Sequence, residues 1–362
     1  MTAPVSPADR YLRRLRARRR ATADGRLVTF RGRLAVLRDV VLDPARCIPD
    51  GGPDGLARFQ PGFLHLDGLR LPRLRWRRPR LRRPPLQAVL ATLGGAGPTA
   101  APAREPRPHV LVVRAAPGTL FGAMTDWYNV FVVQRFLGVT AVRVVLADGR
   151  PAAPLDDAWP GLFGDVVRVG ALGPDARRLE TLAVAPLGYD SPLLAWRARQ
   201  LPLAAAFRRF VLEAHGVAVD DGPRRPGPLR VTLVRREHEA ASEAVLLQVL
   251  RTLADVEARA VALEGLPFRE QVALAAATDV LVGAHGPGLT HALLLPPWAG
   301  VVELFPGEDT PRARHYRRLA EWRGLFYTAW HPRERGPRPA AIPPAVVVDA
   351  LRRYAYRPGR RL

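Results

Sequence analysis

From Leu229 to Tyr354 short apolar runs alternate with segments of helical period, and this alternation constrains the fold more than any other feature of the chain. The reading is strand 229–234, helix 239–252, strand 259–263, helix 268–276, strand 279–282, a helix opening near Gly288, strand 300–305, helix 311–322, strand 325–329 and helix 345–354. Strands and helices at this spacing imply a mostly parallel sheet with helices on both faces.

An earlier alternation starts at His109, with strands at 109–114, 141–147, 166–169 and 182–185 and helices at 124–137 and 203–215. The Gly- and Pro-rich run 222–228 separates the two patterns. The expected organisation is a basic leader over 1–25, a β-rich segment and linker over 26–108, one Rossmann-like lobe over 109–221 and a second over 222–362. The fold class is therefore α/β, with two Rossmann-like lobes and a small β-rich N-terminal segment. Ligands of such sheets bind beyond the carboxyl ends of the strands.

Composition narrows the classes. With 362 residues, 48% of them hydrophobic, the chain has ample material for a core and more than one domain. No run of about 18 apolar residues offers a membrane span, and the Arg-rich first twenty residues lack the apolar stretch of a secretory signal. Cys47 is the single cysteine, so an intramolecular disulfide and a Cys-based zinc site are both excluded. The net charge of +22 comes from arginine without any lysine. GC-rich coding explains much of that arginine; attraction to nucleotide phosphates, an anionic membrane face or nucleic acid is the functional alternative. The run Arg73–Arg83 with Trp76 inside it reads as an RNA-binding strip or as a solvated hairpin face, and no nucleic-acid-binding motif accompanies it. A cytoplasmic location is expected, with peripheral contact to the inner membrane face compatible with the charge.

The most informative stretch runs from Thr278 to His291. A hydrophobic strand enters the loop His285-Gly286-Pro287-Gly288-Leu289-Thr290. Glycines let backbone approach a ligand, and free N–H groups at a helix start favour an anion. Thr290 adds a hydroxyl, and His285 can bond a phosphate or a sugar hydroxyl. The G-x-G-x-x-G and GxxxxGK[ST] spacings are both absent. The alternative is an ordinary strand-to-helix turn with a core histidine. Arg235 and Arg236 follow the strand 229–234 at the ligand-facing rim, where guanidinium groups can neutralise a diphosphate or form a solvated pair. Glu303, ending another strand, suits ribose hydroxyls or a structural ion pair. In the first lobe Asp126 lies near the start of a helix, where it can act as general base or complement the helix N-terminus. The eight histidines lack ligand spacing, so no metal site is expected.

Region 261–306 resembles glycosyltransferase family 61. The matching residues are Leu266, Phe268, Gln271, Asp279-Val280-Leu281-Val282-Gly283, His285-Gly286-Pro287-Gly288-Leu289-Thr290, Pro296-Pro297 and Val302-Glu303-Leu304. The family commonly has alanine at Pro287; proline there removes one N–H. Arg235-Arg236, Trp159, Gly188-Tyr189, Ser191-Pro192 and the helix around Phe207–Phe210 agree more weakly. In Gly118–Phe131 the family's Asp is kept as Asp126, but Gly122 stands where a histidine is common.

The resemblance implies a two-lobed GT-B type fold and inverting, metal-independent transfer from a nucleotide-diphosphate sugar, UDP-linked, to a glycan acceptor in surface or capsular polysaccharide synthesis. It assigns Asp126 to catalysis, and Arg235, Arg236, His285, Gly286, Gly288, Leu289, Thr290 and Glu303 to the nucleotide sugar. No cofactor beyond that co-substrate is expected, and a homodimer is compatible with the chain. The competing classes are a non-catalytic nucleotide-sugar or glycan binder and a basic protein of RNA or membrane surfaces.

Overall fold

The computed structural model describes residues 7–17, 19–30, 34–48, 58–67, 85–99, 101–114, 116, 118–148, 152–186, 191–194, 199–235, 240–305, 314–332 and 341–355. The strip Arg73–Arg83, Arg236 and the pair Gly188-Tyr189 lie outside the described residues. Contacts divide the chain into two compact units, Met1–Ala195 and Trp196–Leu362.

The first unit carries helix α1 (Pro7–Ala17), strands β1 (Arg19–Ala21), β2 (Leu27–Phe30), β3 (Leu34–Leu42), β4 (Cys47–Ile48), β5 (Arg58–Phe59) and β6 (Leu64–His65), helix α2 (Pro85–Leu90), strands β7 (Ala103–Glu105) and β8 (His109–Val112), helix α3 (Leu120–Leu137), strand β9 (Arg143–Leu146), helix α4 (Ala158–Phe163), and strands β10 (Asp165–Arg168) and β11 (Arg177–Val184). Among the described residues its main sheet runs β1-β2-β3-β11-β8-β9-β10, with β6 on β3 and β7 on β11. Strands β11, β8, β9 and β10 are parallel, and β3 joins β11 antiparallel.

The sheet is mixed, unlike a Rossmann-like lobe, and the expected β-rich segment does not stand apart from it. Strand β3 explains why. Its sequence LAVLRDVVL is buried at both ends and on both faces, so it needs a strand on each side; β2 and β11 supply them. Within the basic leader, Pro7–Ala17 is helical. Arg16 on α1 donates to the Phe136 carbonyl at 2.7 Å and lies 5.2 Å over the Phe136 ring.

Helix α3 begins four residues before the expected start. Thr119 caps it by accepting the Gly122 N–H at 3.1 Å, and Gly138, at φ 73°, ends it in the left-handed region. Burial on every side leaves it no polar face, so the usual amphipathic period is missing.

The second unit carries helix α5 (Ala204–Ala214), strand β12 (Leu229–Val234), helix α6 (Ala240–Arg251), strand β13 (Val256–Val261), helix α7 (Phe268–Ala276), strands β14 (Val280–Ala284) and β15 (Gly300–Leu304), helix α8 (His315–Arg323), strand β16 (Phe326–Trp330) and helix α9 (Pro344–Ala355). The sheet order is β13-β12-β14-β15-β16, and every pairing is parallel. In chain order this is 2-1-3-4-5, a doubly wound arrangement. The inner strands β14 and β15 are buried throughout, whereas β13 at one edge alternates. Helix α5, expected in the first lobe, belongs to this unit and packs on α7 and α8. The Gly-Pro run 222–228 is thus a connection within the unit. Among the described residues no helix is long and apolar enough to cross a membrane.

Candidate functional site

The second sheet reverses direction between β12 and β14. Strand β13 is added on one side of β12 and β14 on the other, so the connections leave on opposite faces, the arrangement in which doubly wound sheets take ligands at the carboxyl ends of their strands. The register pairs Val234 with Gly283, which puts Arg235 and the 283–290 loop at this switch point. Arg235 is fixed through its backbone, whose N–H donates to the Val261 carbonyl at 2.8 Å. Its side chain remains 49% exposed, with Nε 3.8 Å from Glu243 Oε2. Guanidinium charge is therefore presented to solvent from an anchored position.

The loop itself departs from the expected helix start. Pro287–Leu293 forms a seven-residue 3-10 helix, too short for an appreciable dipole. Pro287 has no N–H, and the Leu289 N–H is taken by the Gly286 carbonyl at 3.1 Å. Leu289 and Thr290 are interior, and the Thr290 hydroxyl has no hydrogen-bond partner among the described residues. Neither faces a ligand as placed. His285, Gly286 and Gly288 keep partial exposure. Gly288 is required by packing: a Cβ there would lie 2.8 Å from Val234 Cγ1, so the turn presses onto the end of β12. The far end of the turn is capped by Arg208 Nε on the Leu294 carbonyl at 3.0 Å and Arg323 Nη2 on the Leu295 carbonyl at 2.9 Å.

His285 is oriented from below by a buried carboxylate. Glu303 on β15 is fully buried. One oxygen lies 2.5 Å from His285 Nδ1, and the other accepts the Tyr327 hydroxyl at 2.5 Å. With both oxygens occupied inside the protein, Glu303 does not reach a ribose; of the two roles its position suggested, the structural pairing is the one observed. The arrangement holds Nδ1 toward Glu303 and leaves Nε2 as the edge available to a ligand. Burial, then the nearby Glu303 charge, raises the Tyr327 hydroxyl above its ordinary range, so it remains a donor. Sequence reasoning missed Tyr327. The signal was there: β15 and β16 pair Glu303 with Ala329, and the two-residue period of a strand puts Tyr327 on the same face as its neighbour Ala329.

At the other end of the sheet, Asp279 lies fully buried just before β14. It accepts Arg230 Nη2 at 2.9 Å and the Trp298 indole N–H at 2.9 Å. Burial works to raise its pKa, but the Arg230 and Trp298 hydrogen bonds outweigh that and hold it low. Asp279 thus ties β12, β14 and the 298 turn together at the end opposite the switch point.

In the first unit Asp126 lies in the second turn of α3 and is 2% exposed. It therefore does not complement the helix N-terminus. Its neighbour Asn129 donates to the Pro186 carbonyl at 2.9 Å and accepts the Ser191 hydroxyl at 2.8 Å. Gly122 has no room for a side chain: a Cβ would sit 2.0 Å from the Ala116 carbonyl oxygen. The histidine common at that position cannot be accommodated on this backbone. Among the described residues no three His, Cys, Asp or Glu side chains gather as metal ligands.

Residues 179–302 match the family model described as Glycosyltransferase 61. The chain is also similar to proteins named EGF domain-specific O-linked N-acetylglucosamine transferase. The Rattus norvegicus protein is 35% identical over 164 residues, covering 42% of this chain and 30% of the relative. The Drosophila melanogaster protein is 34% identical over 151 residues, covering 41% and 28% respectively. The matched part thus spans less than a third of the length of these relatives. The segment that matches the family model includes Arg235 and His285.

Proposed function

We propose that the protein is a glycosyltransferase that moves a sugar from a nucleotide diphosphate, UDP in the first instance, to a glycan acceptor of the surface-polysaccharide kind. The observation that carries this reading is the switch point of the second sheet, where an anchored, half-exposed Arg235 and a partly exposed His285 both stand just beyond the carboxyl ends of the neighbouring strands β12 and β14. Cleaving a sugar–diphosphate bond develops negative charge on the leaving group, and preorganised donors aimed at that charge lower the barrier. Arg235 supplies a planar, permanently charged donor set. His285, held by Glu303, supplies a directed N–H or acceptor without a reorganisation step. In this reading the two groups neutralise the diphosphate without a divalent ion, and transfer inverts the anomeric carbon. Asp126 is the acceptor-side base in this reading, and an Asp126→Asn variant tests that role separately: transfer falls while donor binding holds.

The test is turnover of a nucleotide-sugar panel by the purified protein, with and without chelator. N-acetylglucosamine donors head the panel because the matched relatives carry that sugar in their names. The reading expects chelator-resistant release of UDP from at least one donor. No release from any donor, with UDP still bound, would favour a non-catalytic nucleotide-sugar binder, the class to which the missing histidine at Gly122 points.

A further inference from the structure

Three rings stand in register at the carboxyl edge of the second sheet. Strands β14, β15 and β16 pair Ala284 with Leu304 and Leu304 with Trp330. The ladder continues one residue further: the His285 N–H donates to the Leu304 carbonyl at 2.8 Å and the Phe305 N–H to the Trp330 carbonyl at 3.0 Å. The next residue on each strand is aromatic, namely His285, Phe305 and His331. Parallel strands lie about 4.8 Å apart, close to the spacing of stacked rings. The result is a column. His285 and Phe305 have centroids 5.1 Å apart and planes 18° apart; Phe305 and His331 have centroids 4.3 Å apart and planes 11° apart.

The column is buried at its middle ring and open at the His331 end. Phe305 is 4% exposed, and Tyr316 on α8 lies against His285 with centroids 5.1 Å apart. His331 is exposed, and among the described residues Phe305 is the one ring stacked on it. A flat ring fixed by a buried neighbour, with its remaining surface in water, loses little conformational freedom when a second flat group covers it. Its distance from the switch point is also informative. From β14 to β16 is two strand spacings, about 10 Å, which is the scale separating the diphosphate of a nucleotide from its base.

We propose that His331 is the stacking platform for the nucleobase of the donor nucleotide, with Phe305 as its rigid backing and the diphosphate at Arg235 and His285. The platform rests on the functional reading above. It adds a base-contacting residue just after β16, outside the segment that matches the family model. Stacking alone is tolerant of base identity, so the platform contributes affinity for nucleosides generally rather than a choice of uracil.

The experiment measures binding of UDP, uridine and inorganic pyrophosphate to the wild type, His331→Ala and His331→Phe by calorimetry. The platform predicts that His331→Ala weakens UDP and uridine by roughly 5- to 150-fold and leaves pyrophosphate unchanged. His331→Phe restores UDP affinity, because it returns a flat ring without the imidazole. Equal UDP binding by wild type and His331→Ala overturns the platform while leaving the diphosphate site standing. A loss with UDP-sugar but none with UDP also overturns it, placing the sugar rather than the base against the ring. Failure of the wild type to bind pyrophosphate or UDP instead refutes the functional reading beneath it. Thermal unfolding of both variants separates lost stacking from lost folding.

Discussion

Two carboxylates in the second sheet are equally buried and do opposite things. Asp279, at the amino end of β14, is held by Arg230 and the Trp298 indole. Glu303, at the carboxyl end of β15, is held by His285 and Tyr327. The partners of Asp279 tie strands and a turn to one another, and its charge is spent within the fold. One partner of Glu303, His285, is 21% exposed at the side chain and stands at the carboxyl edge of the sheet. The difference teaches that burial of a carboxylate does not reveal its role; the exposure of the groups it orients does. In a parallel sheet that distinction follows strand direction, because ligands meet the carboxyl edge.

The sharpest way to break the comparison is Asp279→Ala. It leaves Trp298 Nε1 and the Arg230 guanidinium without their acceptor, and is expected to cost about 3 kcal/mol of unfolding free energy. Urea unfolding measures this. Below saturating denaturant, the folded protein should bind UDP as the wild type does. Lost UDP affinity with unchanged stability would put Asp279 in the site and erase the contrast.

A third buried ionisable group sharpens it. His291 makes no hydrogen bond to a carboxylate among the described residues: Nδ1 meets the Gly288 carbonyl at 2.8 Å, and Nε2 has no hydrogen-bond partner among them. Burial lowers its pKa from 6.5 to about 4, so it stays neutral near pH 7. The folded state then refuses a proton that the unfolded chain accepts. Stability is on its plateau above about pH 6.5 and declines as pH falls from there to about 4, by about 3 kcal/mol in all. The variant His291→Gln should lack this part of the decline when unfolding is followed across that range. A wild-type profile no steeper than the variant's would contradict the assignment.

The smallest effect on stability, with a clear one on function, is expected for Glu303→Gln. An amide cannot accept from both His285 and Tyr327, so one donor loses its partner and the imidazole loses its fixed orientation. Turnover should fall by about tenfold or more while unfolding free energy drops by about 1 kcal/mol. A large stability loss with unchanged turnover per folded molecule would make Glu303 a second Asp279.

Much of the second sheet was legible because parallel strands buried on both faces are near-continuous apolar runs, as in 229–234 and 300–304. The loop after 279–282 was correctly placed at the end of a buried strand, but its interior was not legible. Whether Leu289 and Thr290 face a ligand depends on a 3-10 turn pressed against Val234, a contact that local spacing does not encode. Arg235 was legible from its place after a strand. Glu303 was found by position, whereas its pairing with Tyr327 needed the β15–β16 register. The first unit was harder. The elements between 109 and 184 were seen, but β3 enters their sheet from about 140 residues away along the chain, and nothing local in LAVLRDVVL names β11 as its partner. Likewise α3 hid its start because its buried faces leave no amphipathic period.

The central claim is that Arg235 and His285 at the β12–β14 switch point receive the diphosphate of a nucleotide. Calorimetric titration of UDP into the wild type and Arg235→Ala tests it most directly, because Arg235 is half exposed, with thermal unfolding measured alongside to account for its ion pair with the buried Glu243. A charge-assisted contact of this kind predicts a loss of affinity of about tenfold or more in a variant that is still folded. UDP bound equally well by both proteins would contradict the account.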